Sequence, residues 1–520
     1  MKLLASLGSA TARVPVLCLT LCAVGYPALA QSPGVTGRAF RDLEPVAAPG
    51  LDAAAAPGLR RPIDIDVAAL RAGRAGLRLD LFGGEVATAQ QPKLSNAHGG
   101  GLIWRAALDG NSDGADYAAF SIVGDAVTAT IHRDGRTYRV ASAGNGAHWL
   151  TEWQASRAPR CGVEPVVTPS AATAGQFPSA PVGSPPASAR TSPTVDVMVV
   201  YSTEAKDEEG GTAAMLSLIN LAIDETNQGY ANSGVHPRLA LIHTEEMVGY
   251  AEPSNFSSIL SDLAGQFDGK MDHVHPLRDQ HGADLVAMLV DNDQLCGLSY
   301  LMTTVSPTFE DRAFSVINRE CATVDYGFGH QVGHNFGCAH EPASAGSAAY
   351  AFSYGYRTPD QRFRTIMALD PGTRVPIYSG EASVWGSYIM GQRSQNNSRS
   401  LNNAAATVAA WRASASGSFT LSVSNLVGGA TAILATNGAS PGRLVQTAYS
   451  VTGAGPIATR FGPISLSVPV RLLPAQFASS GGTTSVPLAV PAAAAGRNIW
   501  FQAVDVFSST VSNSLPSRIR

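Results

Sequence analysis

His330-Gln331-Val332-Gly333-His334-Asn335-Phe336-Gly337-Cys338-Ala339-His340 is the stretch on which the fold turns. A helix through its first half sets His330 and His334 one turn apart on a single face. Two imidazoles on a rigid face make half of a tetrahedral zinc site. Gly337 falls where such a helix has to stop and reverse, because glycine reaches left-handed backbone angles at little cost. The reversal brings His340 round as a third ligand and leaves one coordination position open, the arrangement of a catalytic zinc. The chain has 11 histidines in 520 residues. Three of them at this spacing, with glycine at the turn, set the stretch apart from a chance cluster.

Outward from this stretch, the bulk properties bound the rest. A chain of 520 residues is too long for one core and divides into three or four units. A formal net charge of −4 gives no argument for nucleic acid or an anionic membrane as partner. The one long uncharged apolar run lies at residues 14–30, after Lys2 and Arg13, and closes on Ala28-Leu29-Ala30 before Gln31. That pattern reads as an export signal over 1–30, short for a stable membrane anchor, and predicts a secreted or periplasmic protein. Its removal leaves Cys161, Cys296, Cys321 and Cys338; in an oxidising compartment four cysteines allow three pairings.

Composition then shifts along the chain. Residues 31–64 are rich in Ala, Pro and Gly and read as a loose leader. Alternation in 120–123, 126–132 and 137–140, with a turn at 133–136, reads as a small β unit within 65–157. Residues 165–193 are a Pro/Ala/Ser-rich linker open to cleavage, with Arg190 as one place for it. The unit holding the histidines, 194–414, alternates strands (195–201, 238–242, 283–290, 313–317) with helices. One helix carries the stripe Met215, Leu218, Ile219, Ala222 and Ile223, a second spans 256–267, and a third closes the unit at 401–411. This pattern predicts an α/β unit with a mixed, twisted sheet. Short strand signals at 418–424, 430–434, 464–470 and 499–504 predict a β-sandwich-like accessory unit over 415–520, with nothing to indicate its partner.

The spacing H-x-x-x-H-x-x-G-x-x-H resembles the zinc signature of the metzincin metalloendopeptidases, and its wording is nearest their reprolysin-like bacterial branch. The resemblance implies one catalytic Zn²⁺ held by His330, His334 and His340, a protein or peptide substrate, and Met367, within Arg364-Thr365-Ile366-Met367-Ala368, as the methionine beneath the histidines. It implies a disulfide between Cys296 and Cys321, and a β-rich propeptide over 31–164 that acts as the chain's own partner. Pro159-Arg160-Cys161-Gly162-Val163 resembles the cysteine switch of matrix metalloproteinases, in which a propeptide thiolate fills the open zinc position. The alternative for Cys161 is a structural disulfide, with Cys338 as one partner.

The family places glutamate, the general base, after the first histidine; here that position is Gln331. An amide hydrogen-bonds water but does not take its proton at neutral pH, which removes about 10²–10⁴ in rate. Glu341 and Asp325 are the nearest other carboxylates in sequence, and neither shares a helical face with Gln331 in a way that replaces the base. Three readings follow: a zinc endopeptidase made as a latent precursor and slowed by Gln331, a pseudoprotease that binds zinc and peptides, or an extracellular adhesive protein.

Overall fold

A computed structural model describes residues 38–42, 60–110, 114–144, 146–154, 159–165, 193–412, 419–455, 457–479 and 482–520. The expected export signal and residues 166–192 of the expected linker, Arg190 included, lie outside the described residues.

The valine-rich run forms the strand Thr194–Ser202, buried from its second residue onward. Because strand side chains alternate between faces, it serves two cores. Val195, Val197, Val199 and Tyr201 face one side with Leu285, Leu289 and Ile317. Met198 and Val200 face the other with Val286, Met288 and Val316. The first core receives Met215, Leu218, Ile219 and Ala222 of the helix Thr212–Asn232, and Val332 and Phe336 of the histidine stretch. The second receives Phe256, Ile259, Leu260 and Leu263 of Phe256–Ala264, and Val274 of Val274–His281.

The sheet runs Glu164–Pro165, Gly297–Leu301, Phe314–Asn318, Leu285–Val290, Thr194–Ser202, Arg238–Met247. It is mixed, as expected. Four strands are parallel, Gly297–Leu301 runs antiparallel to Phe314–Asn318, and Glu164–Pro165 runs parallel to Gly297–Leu301. Pro165, assigned above to the linker, is therefore strand. The strand Gly297–Leu301 and the helix Val274–His281 have no forerunner in the sequence reading. The first is five residues long, and the second begins with Pro276 in its first turn and shows no apolar stripe.

The β-rich region upstream is a nine-stranded antiparallel sheet, ordered Phe40–Asp42, Arg60–Ile65, His148–Trp153, Arg136–Ser142, Ala126–Arg133, Tyr117–Val123, Gly101–Leu108, Val86–Ala97, Leu77–Asp80. Two of its strands come from 31–64, so that stretch is not loose throughout. Phe40 and Ile63 are buried in this sheet's core, which repays the ordering of a Pro/Ala-rich segment. One face meets the helix Thr212–Asn232: Ser217 Oγ donates to the Ser121 carbonyl (2.8 Å), and Arg105 pairs with Asp224 (2.5 Å). Arg139 binds Glu209 through both carboxylate oxygens (2.9 and 2.7 Å).

From 419 onward two antiparallel sheets enclose a core of Leu421, Leu434, Val445, Val486 and Phe501. The expected strand at 464–470 is absent beyond Ile464, since 465–470 is irregular around Pro469. Leu444–Ser450 and Thr484–Ala489, which were not foreseen, supply that pairing instead.

Candidate active site

The helix Gly327–Asn335 carries His330, Gln331 and His334. Its first turn is tied down by Gly327 N donating to the Cys321 carbonyl (3.0 Å) and Phe328 N to that of Ala322 (3.1 Å). Cys321 is disulfide-bonded to Cys296, one residue before the strand Gly297–Leu301. The bridge therefore fixes the helix start to the sheet edge. At the other end Gly337 takes φ 86°, and Cys338 N donates to the Gly333 carbonyl (2.9 Å). A Cβ at Gly337 would stand 2.4 Å from that of Ala349 and 2.9 Å from the Met302 carbonyl oxygen. The turn predicted there thus requires glycine for space as well as for backbone angle.

That turn brings the third ring home. The Nε2 atoms of His334 and His340 each lie 3.1 Å from Nε2 of His330. His330 Nδ1 lies 2.7 Å from the Ile366 carbonyl oxygen and His334 Nδ1 2.7 Å from that of Cys338. A carbonyl only accepts, so each Nδ1 carries the proton and each Nε2 of these neutral rings is a bare lone pair. Burial, mutual repulsion and Arg374 hold His330 and His334 well below the usual imidazole range, and burial brings His340 down to about 4. Lone pairs converging at this distance repel unless a cation lies between them. Tetrahedral zinc with Zn–N bonds of about 2.0–2.1 Å requires N···N separations of about 3.3 Å. The donor set and its spacing fit that ion, and among the described residues these three are the group of ligand-type side chains within 4.8 Å of one another.

Gln331 is fully buried and turns toward the sheet edge. Its Oε1 accepts from Ser299 Oγ (2.7 Å), while its Nε2 is buried without a hydrogen-bond partner. Gly297 lies directly on it, since a Cβ there would stand 2.6 Å from Gln331 Cγ. Glu341 accepts from Arg357 (2.8 Å), Ser344 Oγ (2.6 Å) and Leu369 N (2.9 Å), and Asp325 pairs with Arg374 (2.5 Å). Both carboxylates are thus committed elsewhere. Met367 is fully buried under the helix: a Cβ at Gly333 would meet its Sδ at 2.5 Å. Gly333 separates the two helical histidines, and the sequence reading passed over it and Ser299, because neither carries chemistry alone.

Cys161 stands opposite Gly297 on the sheet edge, half-buried and unbonded, with Gly162 N donating to the Gly297 carbonyl (2.8 Å). Burial raises the pKa of its thiol, and Arg374 opposes the rise. Cys338 is likewise free, fully buried with Sγ 3.8 Å from the Asn397 carbonyl. The alternative disulfide between Cys161 and Cys338 is therefore not formed, because the two thiols have separate surroundings.

Three neutral imidazoles converging beside a sheet edge form the constellation of the metal-dependent peptidases. Residues 191–410 match the family described as Metallo-peptidase family M12B Reprolysin-like. A peptidyl-Asp metalloendopeptidase of Stenotrophomonas maltophilia (strain R551-3) is 32% identical over 424 residues, covering 76% of this chain and 97% of that protein. One of Xanthomonas campestris pv. campestris is 31% identical over 402 residues, covering 74% and 92%. The chain belongs to the reprolysin-like M12B metallopeptidases.

Proposed function

We propose that this chain is the exported, latent precursor of a zinc endopeptidase whose working unit spans 194–414 and which cuts peptide bonds beside aspartyl residues. The observation that carries the reading is the convergence of three Nε2 atoms, with the Nδ1–H groups of His330 and His334 anchored on carbonyls. The family supplies the reaction class, and the name of the relatives, peptidyl-Asp metalloendopeptidase, supplies the substrate preference. No helix among the described residues is long and apolar enough to cross a membrane.

His330, His334 and His340 would hold the zinc, which when bound supplies Lewis-acid polarisation of the scissile carbonyl and a lowered water pKa. The strand Gly297–Leu301 borders the sheet on this side once Glu164–Pro165 is set aside, and it would bind an extended peptide through main-chain hydrogen bonds. The carbonyls of Ile366 and Cys338 fix ring orientation, and Met367 supports the helix from below. Gln331 can orient a water but does not accept its proton, so this sequence should cleave slowly. In the precursor, residues 160–165 lie along the strand that substrate would use, which supports latency.

Metal analysis of the purified full chain tests the reading: about one zinc per chain is expected, with His334→Ala losing it while the fold survives. A folded chain that takes up no zinc would sink both the peptidase and the pseudoprotease readings.

A further inference from the structure

We propose that Tyr326 is a positioning residue through which the upstream nine-stranded sheet sets the histidine helix, so that metal binding at His330 depends on how that sheet is seated. The inference rests on the zinc peptidase reading above and deepens it by naming what regulates the site. Tyr326 is the residue from which the helix Gly327–Asn335 starts, and its carbonyl accepts from His330 N (2.9 Å). The main chain of the first ligand is therefore tied directly to Tyr326. The helix does little to hold this start by itself. Gly327, Gly329 and Gly333 are three of its nine residues, and glycine is a poor helix former. Tyr326 takes φ 52° and ψ 30° and makes no side-chain cap. That left-handed conformation is costly for a bulky residue and persists only where the surroundings impose it.

The surroundings that grip the Tyr326 side chain belong to the upstream sheet. Its Oη lies 2.8 Å from Tyr117 Oη and 2.9 Å from His132 Nε2. Its ring stacks on that of His132, with centroids 5.8 Å apart and planes within 8°. Tyr117 and His132 face each other in register on the strands Tyr117–Val123 and Ala126–Arg133, their rings 4.8 Å apart. His132 Nδ1 lies 3.2 Å from Thr137 Oγ1 on the next strand, which fixes the imidazole in turn. The guanidinium of Arg105, paired with Asp224 of the helix Thr212–Asn232, stands 5.1 Å over the Tyr117 ring. Tyr117 and Tyr326 are both buried, and hydroxyl bonds made away from water are expensive to leave unmade. A shift of the sheet would break both of these bonds and the stack together, and would release a restraint on the residue that holds His330. Contacts one step behind a ligand set its orientation, and with it metal affinity.

The test uses the full chain, with zinc affinity read by chelator competition and site geometry by the visible absorption of the cobalt(II)-substituted protein. Tyr326→Phe keeps the ring and removes both hydroxyl bonds; it should weaken zinc binding about 10-fold and shift the cobalt bands. Tyr117→Phe and His132→Leu, which lie on the sheet and touch no ligand, should weaken zinc binding in the same direction. Tyr326→Phe combined with His132→Leu should weaken it hardly more than either alone, because both break one link. Arg139→Gln loosens the same interface at its ion pair with Glu209; it should lower the thermal midpoint yet leave zinc affinity within about 2-fold. Unchanged affinity and cobalt bands in folded Tyr326→Phe overturn the proposal. Should that variant not fold, unchanged affinity in both Tyr117→Phe and His132→Leu overturns it equally. An Arg139→Gln effect on zinc as large as that of Tyr326→Phe would spread the coupling over the whole interface and overturn the assignment to Tyr326. An unaltered chain that takes up no zinc would instead refute the peptidase reading itself.

Discussion

Gln331→Glu is the perturbation from which most can be learned. The side chain is fully buried between the histidine helix and Gly297, and its oxygen accepts from Ser299 Oγ at 2.7 Å. Glutamate has nearly the same shape, and Ser299 can donate to it unchanged, so no repacking is required. The present amide leaves Nε2 buried and unpaired, and the carboxylate oxygen that takes its place likewise finds no protein donor, so the change should bring no gain in stability. A restored general base contributes about 10²–10⁴ in rate, or roughly 3–5 kcal/mol of barrier. The gain should fall in kcat with KM nearly unchanged, because proton transfer develops in the transition state and not on binding. Steady-state cleavage of an Asp-containing peptide by zinc-loaded full chains, with and without the change, measures it. A kcat gain under about 10-fold at equal zinc content would refute the reasoning and favour a binding protein.

Gly333→Ala should lower stability although alanine is the better helix former by about 1 kcal/mol: the new methyl would meet Met367 Sδ at 2.5 Å, and overpacking typically costs about 1–3 kcal/mol, read as a fall in thermal midpoint and in zinc affinity. Cys296→Ser with Cys321→Ser opens a 25-residue separation and should cost about 3 kcal/mol in chemical denaturation. Glu225 on the helix Thr212–Asn232 has both carboxylate oxygens buried without a partner, and burial pushes its pKa up from 4.5 to about 8. Because the folded value exceeds the unfolded one, its contribution is whole below about pH 4.5 and is lost as pH rises toward 8, roughly a few kcal/mol in all; Glu225→Gln should flatten that slope in denaturation curves taken between those pH values. His132, brought down to about 3 by burial, has the opposite sign, so His132→Phe should reduce the loss of stability as pH falls from 6.5 toward 3.

The family, the convergence of the three histidines and the need for glycine at 337 were legible in the sequence, because each depends on residues a few positions apart on one helix and one turn. The strand 194–202 and the helix 212–232 were legible for a similar reason: their apolar spacing repeats over many residues. Other features depend on which segments meet across the fold, and spacing carries no record of that. Only the tertiary structure joined 40–42 and 60–65 to a nine-stranded sheet, since 60–63 pairs with 148–151, nearly a hundred residues downstream, and 40–42 gains its order from 63–65 in turn. Only it set Ser299 and Gly297 against Gln331, and Met367 against Gly333. Arg374 had no motif to announce it. Its place arises from the return of the chain after Met367, where it pairs with Asp325 and donates to the Ala368 carbonyl.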